Sequence, residues 1–300
     1  MRAFLFPGQG AQTVGMGRGL AETLPAAKAL FDEAAEILGY DLLALCANGP
    51  VERLNGTDVS QPAIFVASLA ALESLKATAP EVVTEVSATA GLSLGEYTAL
   101  VFAGALPFRE ALTVVKARGE AMQAAARATP GGMIAVLGLE PAEVEVLVAD
   151  ARSAGTLEIA NLLCPGNTVV SGALAAIEKF EGVCAAREGL RTARLAVAGA
   201  FHTELMKPAD DALAAALGNA TITAPRIPIW SNVDAKPHTD PAEIRALLVK
   251  QVLSPVLWEA TIRGLMATGV DKFHEIGPGR VLAGLLKRVH RKADITNVGA

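Results

Sequence analysis

The segment Gly91-Leu92-Ser93-Leu94-Gly95 places one hydroxyl between two glycines, at the spacing of a nucleophile elbow. A short apolar run, 86–91, precedes it, and a helix-forming run begins at Glu96. The motif requires this strand-to-helix turn, because the glycines let the backbone tighten until the serine side chain stands clear of it. Ser93 is therefore a candidate nucleophile. The alternative is a packed turn with an idle hydroxyl.

A serine hydroxyl needs a neighbouring base, and the chain has 4 histidines. His290 lies in a run of cations, His238 in a turn-rich loop, and His274 in an apolar strand pattern. His202 directly follows Phe201, and the small residues before that phenylalanine permit another segment to approach closely. A predicted helix begins after His202. It is the best candidate base. No aspartate is marked by a motif, so a dyad oriented by a carbonyl stays open beside a full triad.

Arg118 lies on the apolar stripe of a helix predicted over 108–127. No carboxylate lies three or four residues from it along that helix. A guanidinium that faces the core is costly without a partner, and its paired donors match a carboxylate. Two interpretations stay open. Either a distant Asp or Glu pairs with Arg118, or the carboxylate arrives with a substrate.

The first predicted strand, 3–6, ends in the glycine-rich loop Pro7-Gly8-Gln9-Gly10. An amide of this loop and the amide of Leu94 are candidates for an oxyanion hole. A phosphate-binding interpretation fails for this loop. It lacks the lysine followed by Ser or Thr of a P-loop, and it lacks the third glycine of the dinucleotide fingerprint.

Short apolar runs alternate with helical patterns through most of the chain, which predicts an α/β fold with a mostly parallel sheet. One long helix is predicted to begin after Ser60 as its N-cap. Between 129 and 198 the predicted order is βαββαβ, that of a ferredoxin-like unit. We therefore predict a discontinuous large domain over 1–128 and 199–300, and a small inserted subdomain over 129–198. A ligand is expected in the cleft between them.

The chain's composition excludes several classes of protein. A length of 300 residues with 52% hydrophobic content supports a core larger than one small domain needs. A net charge of −5 and 4% aromatic residues do not suit nucleic-acid binding. We find no signal-peptide pattern and no run of about 18 apolar residues. The 3 scattered cysteines fit reduced thiols. We expect a cytoplasmic protein with no membrane or nucleic-acid partner.

One local cluster of cations contrasts with the net negative charge. It consists of Lys287, Arg288, Arg291 and Lys292, and we call it the basic cluster. One interpretation is a solvated helix end that complements the helix dipole. The other is a contact for an acidic partner or another anion.

Seven segments, in order along nearly the whole chain, resemble the malonyl-CoA:acyl carrier protein transacylase family. They are 6–16 (FPGQGAQTVGM), 91–97 (GLSLGEY), Arg118, 199–202 (GAFH), 231–233 (SNV), 251–258 (QVLSPVLW) and 275–279 (EIGPG). The resemblance implies a hydrolase-like α/β domain with a ferredoxin-like insert, in agreement with the element order above.

The same resemblance implies an activity and its partners. A malonyl group passes from malonyl-CoA to the phosphopantetheine thiol of acyl carrier protein through a malonyl-serine intermediate, for fatty acid or polyketide synthesis. No cofactor or metal is implied, and we expect a monomer. The implied roles are nucleophile for Ser93, base for His202, malonyl carboxylate clamp for Arg118, histidine-orienting carbonyl for Gln251, oxyanion amides for Gln9 and Leu94, and malonyl selectivity for Phe201.

Two positions depart from the family pattern. Leu92 stands just before the nucleophile, where the family usually has histidine. Asn167 stands where the family usually has glutamine. Neither residue is the expected base, so we expect acylation to survive both changes.

Three other functions share parts of this pattern. A serine hydrolase acting on acyl-CoA or a lipid ester would use the same serine and histidine, but it would gain nothing from Arg118. A catalytically silent docking module for carrier proteins would not need the three residues together. An acyltransferase for an unusual extender unit would differ in its preferred acyl group.

Overall fold

Two β-sheets organise the chain in the computed structural model, which describes residues 1–197 and 199–300. The large sheet has the order β10-β9-β1-β2-β7-β8, and the small sheet the order β4-β5-β3-β6. The strands are β1 (Arg2–Phe6), β2 (Val86–Gly91), β3 (Gly131–Leu137), β4 (Leu157–Cys164), β5 (Asn167–Ala173), β6 (Arg191–Arg194), β7 (Ile229–Trp230), β8 (Pro237–His238), β9 (Lys272–Ile276) and β10 (Asp294–Val298).

Helices connect these strands and cover the sheets. They are α1 (Arg18–Thr23), α2 (Pro25–Leu38), α3 (Leu42–Asn48), α4 (Val51–Leu54), α5 (Thr57–Thr78), α6 (Pro80–Thr84), α7 (Gly95–Phe102), α8 (Phe108–Ala128), α9 (Pro141–Ala151), α10 (Leu174–Ala185), α11 (Lys207–Gly218), α12 (Pro241–Gln251), α13 (Trp258–Ala267) and α14 (Val281–Val289). Short 3₁₀ turns lie at Arg152–Ala154 and Glu204–Met206.

The large sheet is parallel except for β8, which runs antiparallel to β7. Its strand β1 is apolar and buried from Ala3 to Phe6, as expected for a strand covered on both faces. Phe6 at the end of β1 pairs with Gly91 at the end of β2. The loops that follow these two strands therefore meet at one edge of the sheet. In parallel α/β sheets, ligands bind at this edge, beyond the carboxyl ends of the strands.

The small sheet is antiparallel throughout. Along the chain its elements follow the order β3, α9, β4, β5, α10, β6, which is the βαββαβ order that the sequence predicts. A separate apolar cluster fills the space between this sheet and its two helices. The α/β architecture with a mostly parallel sheet is thus confirmed, together with a second, antiparallel sheet.

Helix α5 crosses the interior of the molecule and is buried on nearly all sides. The predicted cap at Ser60 is wrong, because the helix begins at Thr57. The Val59 and Ser60 amides already donate to the Gly56 carbonyl, and the Ser60 hydroxyl is buried without a partner among the described residues. The sequence patterns do not predict strands β8 and β10. No helix in the described part of the chain has the length and apolarity that a membrane crossing needs.

Candidate active site

Ser93 lies in a tight turn between β2 and α7. Its backbone has φ +51°, a left-handed value that few non-glycine residues adopt. A Cβ on Gly91 would come within 1.8 Å of the Gly95 backbone, and a Cβ on Gly95 within 2.2 Å of the Phe6 carbonyl oxygen. Only glycine fits at either position. The turn is held further by the Ser93 amide, which donates to Asn232 Oδ1 at 2.6 Å.

His202 meets this serine from the opposite side of a crevice, also with a left-handed backbone (φ +60°). Its Nε2 lies 3.0 Å from Ser93 Oγ, while its Nδ1 lies 3.0 Å from the carbonyl oxygens of both Gln251 and Ser254. Because carbonyl oxygens only accept, Nδ1 carries the ring proton and Nε2 is free to accept one.

The electrostatics of the crevice keep the His202 ring neutral. Burial, and after it the nearby Arg118 guanidinium, lower the pKa of His202 to about 4. A neutral imidazole beside a hydroxyl can take its proton. Among the described residues no carboxylate contacts Nδ1 of this ring, so the geometry is that of a dyad oriented by carbonyls.

Arg118 projects from α8 into the same crevice and is 1% exposed. Its Nη2 donates to Ser93 Oγ at 2.9 Å and to Gln251 Oε1 at 3.0 Å, and its Nη1 donates to Gln61 Oε1 at 2.6 Å. The guanidinium also lies 5.6 Å from the ring centre of Tyr97. No Asp or Glu oxygen in the described ranges forms a salt bridge with it, so the first interpretation of Arg118, direct pairing with a distant acid, is not observed.

The two expected oxyanion amides flank the nucleophile. Leu94 follows Ser93 directly, and Gln9 lies in the loop after β1. Both residues line the crevice. Within residues 1–197 and 199–300 neither backbone N–H donates to another protein group. The loop lies close against the elbow. Only glycine fits at position 8, because a Cβ there would lie 2.3 Å from the Leu92 carbonyl oxygen.

These groups open into a cavity of about 270 Å³. Ser93, His202, Arg118 and other polar residues form part of its lining. Apolar side chains, most of them from the small sheet, the segment after it and α14, form the rest. Both departures from the family pattern face this cavity, Leu92 as apolar surface and Asn167 with a buried Oδ1 that has no partner in the described structure. The apolar lining is Met122, Met133, Leu163, Val169, Leu195, Val197, Phe201, Val281 and Leu285.

The basic cluster is exposed and lies at the far end of α14, the helix whose first turns line the cavity. Arg288 donates to the carbonyl oxygens of Pro165 and Gly166 at 3.0 and 3.2 Å, beside Asn167. Lys287 donates to the Ala293 carbonyl oxygen. Arg288 thus reaches the turn before Asn167, which lines the cavity, but none of the four cations of the cluster lines the cavity itself.

Comparison with known proteins agrees with this geometry. A family model described as an acyl transferase domain matches residues 3–299. The chain belongs to the acyl transferase family.

Individual relatives in this family carry more specific names. A malonyl CoA-acyl carrier protein transacylase from Bacillus subtilis is 44% identical over 97% of this chain and 90% of its own length. The crystal structure of an acyl-carrier-protein-S-malonyltransferase from Bartonella henselae superimposes with a TM-score of 0.95 at 38% identity, covering 100% of this chain and 95% of the other. A malonyl-transacylase solved in complex with a type II PKS acyl-carrier protein gives 0.91 at 37% identity, with coverage of 100% and 95%. The resemblance inferred from the seven segments is confirmed.

The other three histidines of this acyl transferase lie outside the cavity. His238 pairs with Asp234 at 3.0 Å, His274 packs within β9, and His290 follows α14. None of the three lines the space around Ser93.

Four residues that contact the site groups were not singled out from the sequence: Gln61, Glu96, Asn232 and Ser254. Asn232, Glu96 and Ser254 lie inside segments that carried the family resemblance, which was their only signal. Gln61 lies outside those segments, and no local pattern reveals its contact with Arg118, 57 residues away along the chain.

Proposed function

We propose that this acyl transferase moves the malonyl group of malonyl-CoA to the phosphopantetheine thiol of acyl carrier protein, through an ester on Ser93. The observation that carries the proposal is the position of Arg118. Its guanidinium is buried, lies 2.9 Å from Ser93 Oγ, and has no carboxylate partner in the described structure. An acyl group that ends in a carboxylate supplies that partner, which is the second interpretation of this residue.

In the first half-reaction His202 Nε2 takes the proton of the Ser93 hydroxyl as Oγ attacks the thioester carbonyl carbon. The Gln251 and Ser254 carbonyls stabilise the imidazolium through Nδ1. The amides of Gln9 and Leu94 hold the tetrahedral oxyanion, and such donors contribute roughly 3 to 4 kcal/mol each in comparable sites. The carbon–sulfur bond then breaks, and coenzyme A leaves as a thiol with the proton that His202 returns.

In the second half-reaction the carrier's thiol enters the same cavity. His202 takes its proton, the sulfur attacks the ester carbonyl, and the ester bond breaks as Ser93 Oγ recovers the proton. Arg118 keeps the malonyl carboxylate fixed and leaves one face of the ester open, which favours the thiol over water. Phe201 borders the malonyl end of the cavity and limits branching there. Each of these steps uses side chains and amides of the chain itself, and we propose that no cofactor takes part.

The basic cluster is the proposed contact for the carrier protein or for the phosphates of coenzyme A. Support comes from its exposure and from its place on α14, whose first turns line the cavity. A solved relative forms a complex with an acyl-carrier protein, so binding of a carrier protein has a counterpart in the family. Opposite charges speed the encounter of such partners.

We further propose the finer organisation that the sequence predicts. Residues 1–128 and 199–300 form a hydrolase-like domain, and 129–198 a ferredoxin-like subdomain, whose antiparallel strand order supports the assignment. Its last residue, Ala198, lies outside the described residues. The protein acts as a cytoplasmic monomer that binds neither nucleic acid nor membrane, and it supplies extender units for fatty acid or polyketide synthesis.

Intact-protein mass spectrometry after incubation with malonyl-CoA tests the proposal. We expect a mass increase of one malonyl unit that is absent in Ser93→Ala and is discharged by added acyl carrier protein. No adduct on the wild type would contradict covalent transfer. Steady hydrolysis that added carrier protein does not change would instead identify a hydrolase, and carrier binding without turnover would identify a docking module.

A further inference from the structure

Glu96 is a buried carboxylate that the transfer steps above do not use. It lies in the first turn of α7, three residues after the nucleophile, and is 3% exposed. Its Oε1 accepts from the Asn232 backbone amide and its Oε2 from Gln251 Nε2. A buried charge needs such partners to persist. Both of these partners also contact the groups around Ser93.

Gln251 connects Glu96 to three parts of the site. Its Nε2 also donates to the Ser93 carbonyl oxygen at 3.1 Å, and its Oε1 accepts from Arg118 Nη2 at 3.0 Å. Its backbone carbonyl accepts from His202 Nδ1 at 3.0 Å. Both N–H donors of this side chain are thus used and its oxygen accepts from Arg118, and Glu96 holds one of the two donors.

Asn232 connects the other oxygen of Glu96 to the elbow. Its Oδ1 accepts from the Ser93 amide at 2.6 Å, and its Nδ2 donates to the Gly91 carbonyl oxygen at 2.7 Å. The strained turn around the nucleophile is therefore fixed from outside by a side chain whose own backbone is held by Glu96.

We propose that Glu96 is a positioning residue for acyl transfer, and that its ionised carboxylate fixes Asn232 and Gln251 and, through them, the Ser93 turn and the Arg118 guanidinium. The proposal deepens the proposed function and rests on it for the identity of the acyl group, although not for the reactivity of Ser93.

The hydrogen-bond directions favour the ionised form. The backbone N–H of Asn232 can only donate. The Gln251 amide is oriented by Arg118, which needs an acceptor and therefore turns Oε1 toward itself and Nε2 toward Glu96. Each carboxylate oxygen consequently accepts from one donor. A proton on Glu96 would remove the charge that strengthens both contacts and would weaken them.

The surroundings set the pH at which this happens. Burial raises the pKa of Glu96 to about 8, against the lowering effects of the Asn232 amide, the Gln251 amide and Arg118. The charged or titratable groups facing it are Arg118 of α8, Tyr97 of α7, and Asp234, which follows β7. His238 of β8 shares with Glu96 a small cavity of about 20 Å³, room for one water molecule. His202 lies beyond Gln251.

As the pH falls, Glu96 gains a proton and releases its partners, so Ser93 reactivity falls at a pH well above the value of about 4 at which His202 gains its own proton. The acid limb of the rate profile therefore belongs to Glu96, and removing its ionisation flattens the profile.

A fluorophosphonate probe measures Ser93 reactivity without malonyl chemistry. Ser93 Oγ forms the bond to phosphorus, the phosphorus–fluorine bond breaks, fluoride leaves, and His202 takes the proton. We would measure the maximal labelling rate against pH for the wild type, Glu96→Gln and Glu96→Asp. The matched control is Glu275→Gln. Glu275 is also buried, and its oxygens accept from the Leu282 and Ala283 amides and from Asn297, with no hydrogen bond in the described structure to Ser93, His202 or Arg118.

We expect Glu96→Gln to lower the maximal labelling rate about 10- to 100-fold and to flatten its acid limb between roughly pH 6 and 9. Glu96→Asp should restore a limb at a shifted pH. Glu275→Gln should keep the wild-type shape of the profile, even where it lowers thermal stability.

An acid limb of wild-type shape in folded Glu96→Gln would overturn the proposal. Should that variant not fold, Glu96→Asp decides, because an unmoved limb would assign the ionisation to another group. Failure of the proposed function would be seen separately, as absence of malonyl transfer by a wild-type protein whose serine still reacts with the probe.

Discussion

Two buried histidines lie in different regions of this molecule, one after the small sheet and one within β9 of the large sheet. Burial lowers the pKa of both His202 and His274 to about 4. Their partners differ. Both ring nitrogens of His202 are bonded, whereas in the described structure Nδ1 of His274 has no partner and its ring packs 5.4 Å from that of Phe4. A depressed pKa therefore reports burial. The capacity to act as a base depends on what the ring contacts.

The sharpest test of this comparison replaces each histidine in turn. His202→Asn keeps a residue type that tolerates the left-handed backbone, and we expect kcat of malonyl transfer to fall about 10²- to 10⁴-fold from loss of the base. We expect His274→Gln and the exposed His290→Asn to stay near the wild-type kcat. Equal losses in the His202 and His274 variants would break the comparison.

Arg118 provides the next test, because it acts on only one of the two histidines. For Arg118→Met we expect malonyl kcat/KM to fall about 10- to 150-fold, which corresponds to roughly 1.5 to 3 kcal/mol for the loss of a charged hydrogen bond. Preference should move toward uncharged acyl groups such as acetyl. An unchanged acyl preference in a series of malonyl-CoA, acetyl-CoA and methylmalonyl-CoA would count against the clamp.

The same variant should raise the pKa of His202 and leave that of His274 unchanged, as followed by NMR titration of the ring protons. The matched change is Arg2→Met, since Arg2 lowers the pKa of His274 more than the other nearby cation, Lys272, does. It should raise the pKa of His274 alone. If both variants moved the same histidine, the electrostatic assignment would be wrong.

A smaller effect is expected on stability. His274 stays neutral in the folded protein but gains a proton on unfolding below its ordinary pKa of 6.5, so its burial stabilises the fold above that pH and this contribution is lost as the pH falls toward 4. Between pH 7 and 4.5 we expect the wild type to lose about 1 to 2 kcal/mol more unfolding free energy than His274→Gln, allowing for solvent screening. Urea unfolding measures this difference. Parallel curves would contradict it.

The smallest effect concerns the exposed basic cluster around His290. Reversing Arg291 and Lys292 to Glu should raise KM for acyl carrier protein or malonyl-CoA a few-fold at low salt, with kcat unchanged, because rim charges act mainly on encounter. The effect should disappear at high salt. No change at any ionic strength would support the alternative of a solvated helix end.

Local sequence patterns predicted much of this molecule because their causes are local. The elbow around Ser93 depends on glycines two residues away, and the βαββαβ order of the small sheet follows from periodicity alone. In contrast, the contacts of Asn232 with Ser93 and of Gln251 with Glu96 join residues 139 and 155 positions apart. Strand β8 has only two residues, too few for a pattern. The helix face on which Arg118 lies was predictable from the apolar stripe, but its hydrogen-bond partners were not.

The glycine-rich loop after β1 and the elbow after β2 are in contact at backbone distance. The Leu92 amide donates to the Phe6 carbonyl oxygen at 3.0 Å, and side chains at Gly8 or Gly95 would separate the two segments. One oxyanion amide belongs to each segment. A designer who grafts the elbow alone onto a new scaffold would therefore obtain a serine with half of its anion site, and both loops must be transplanted as one unit.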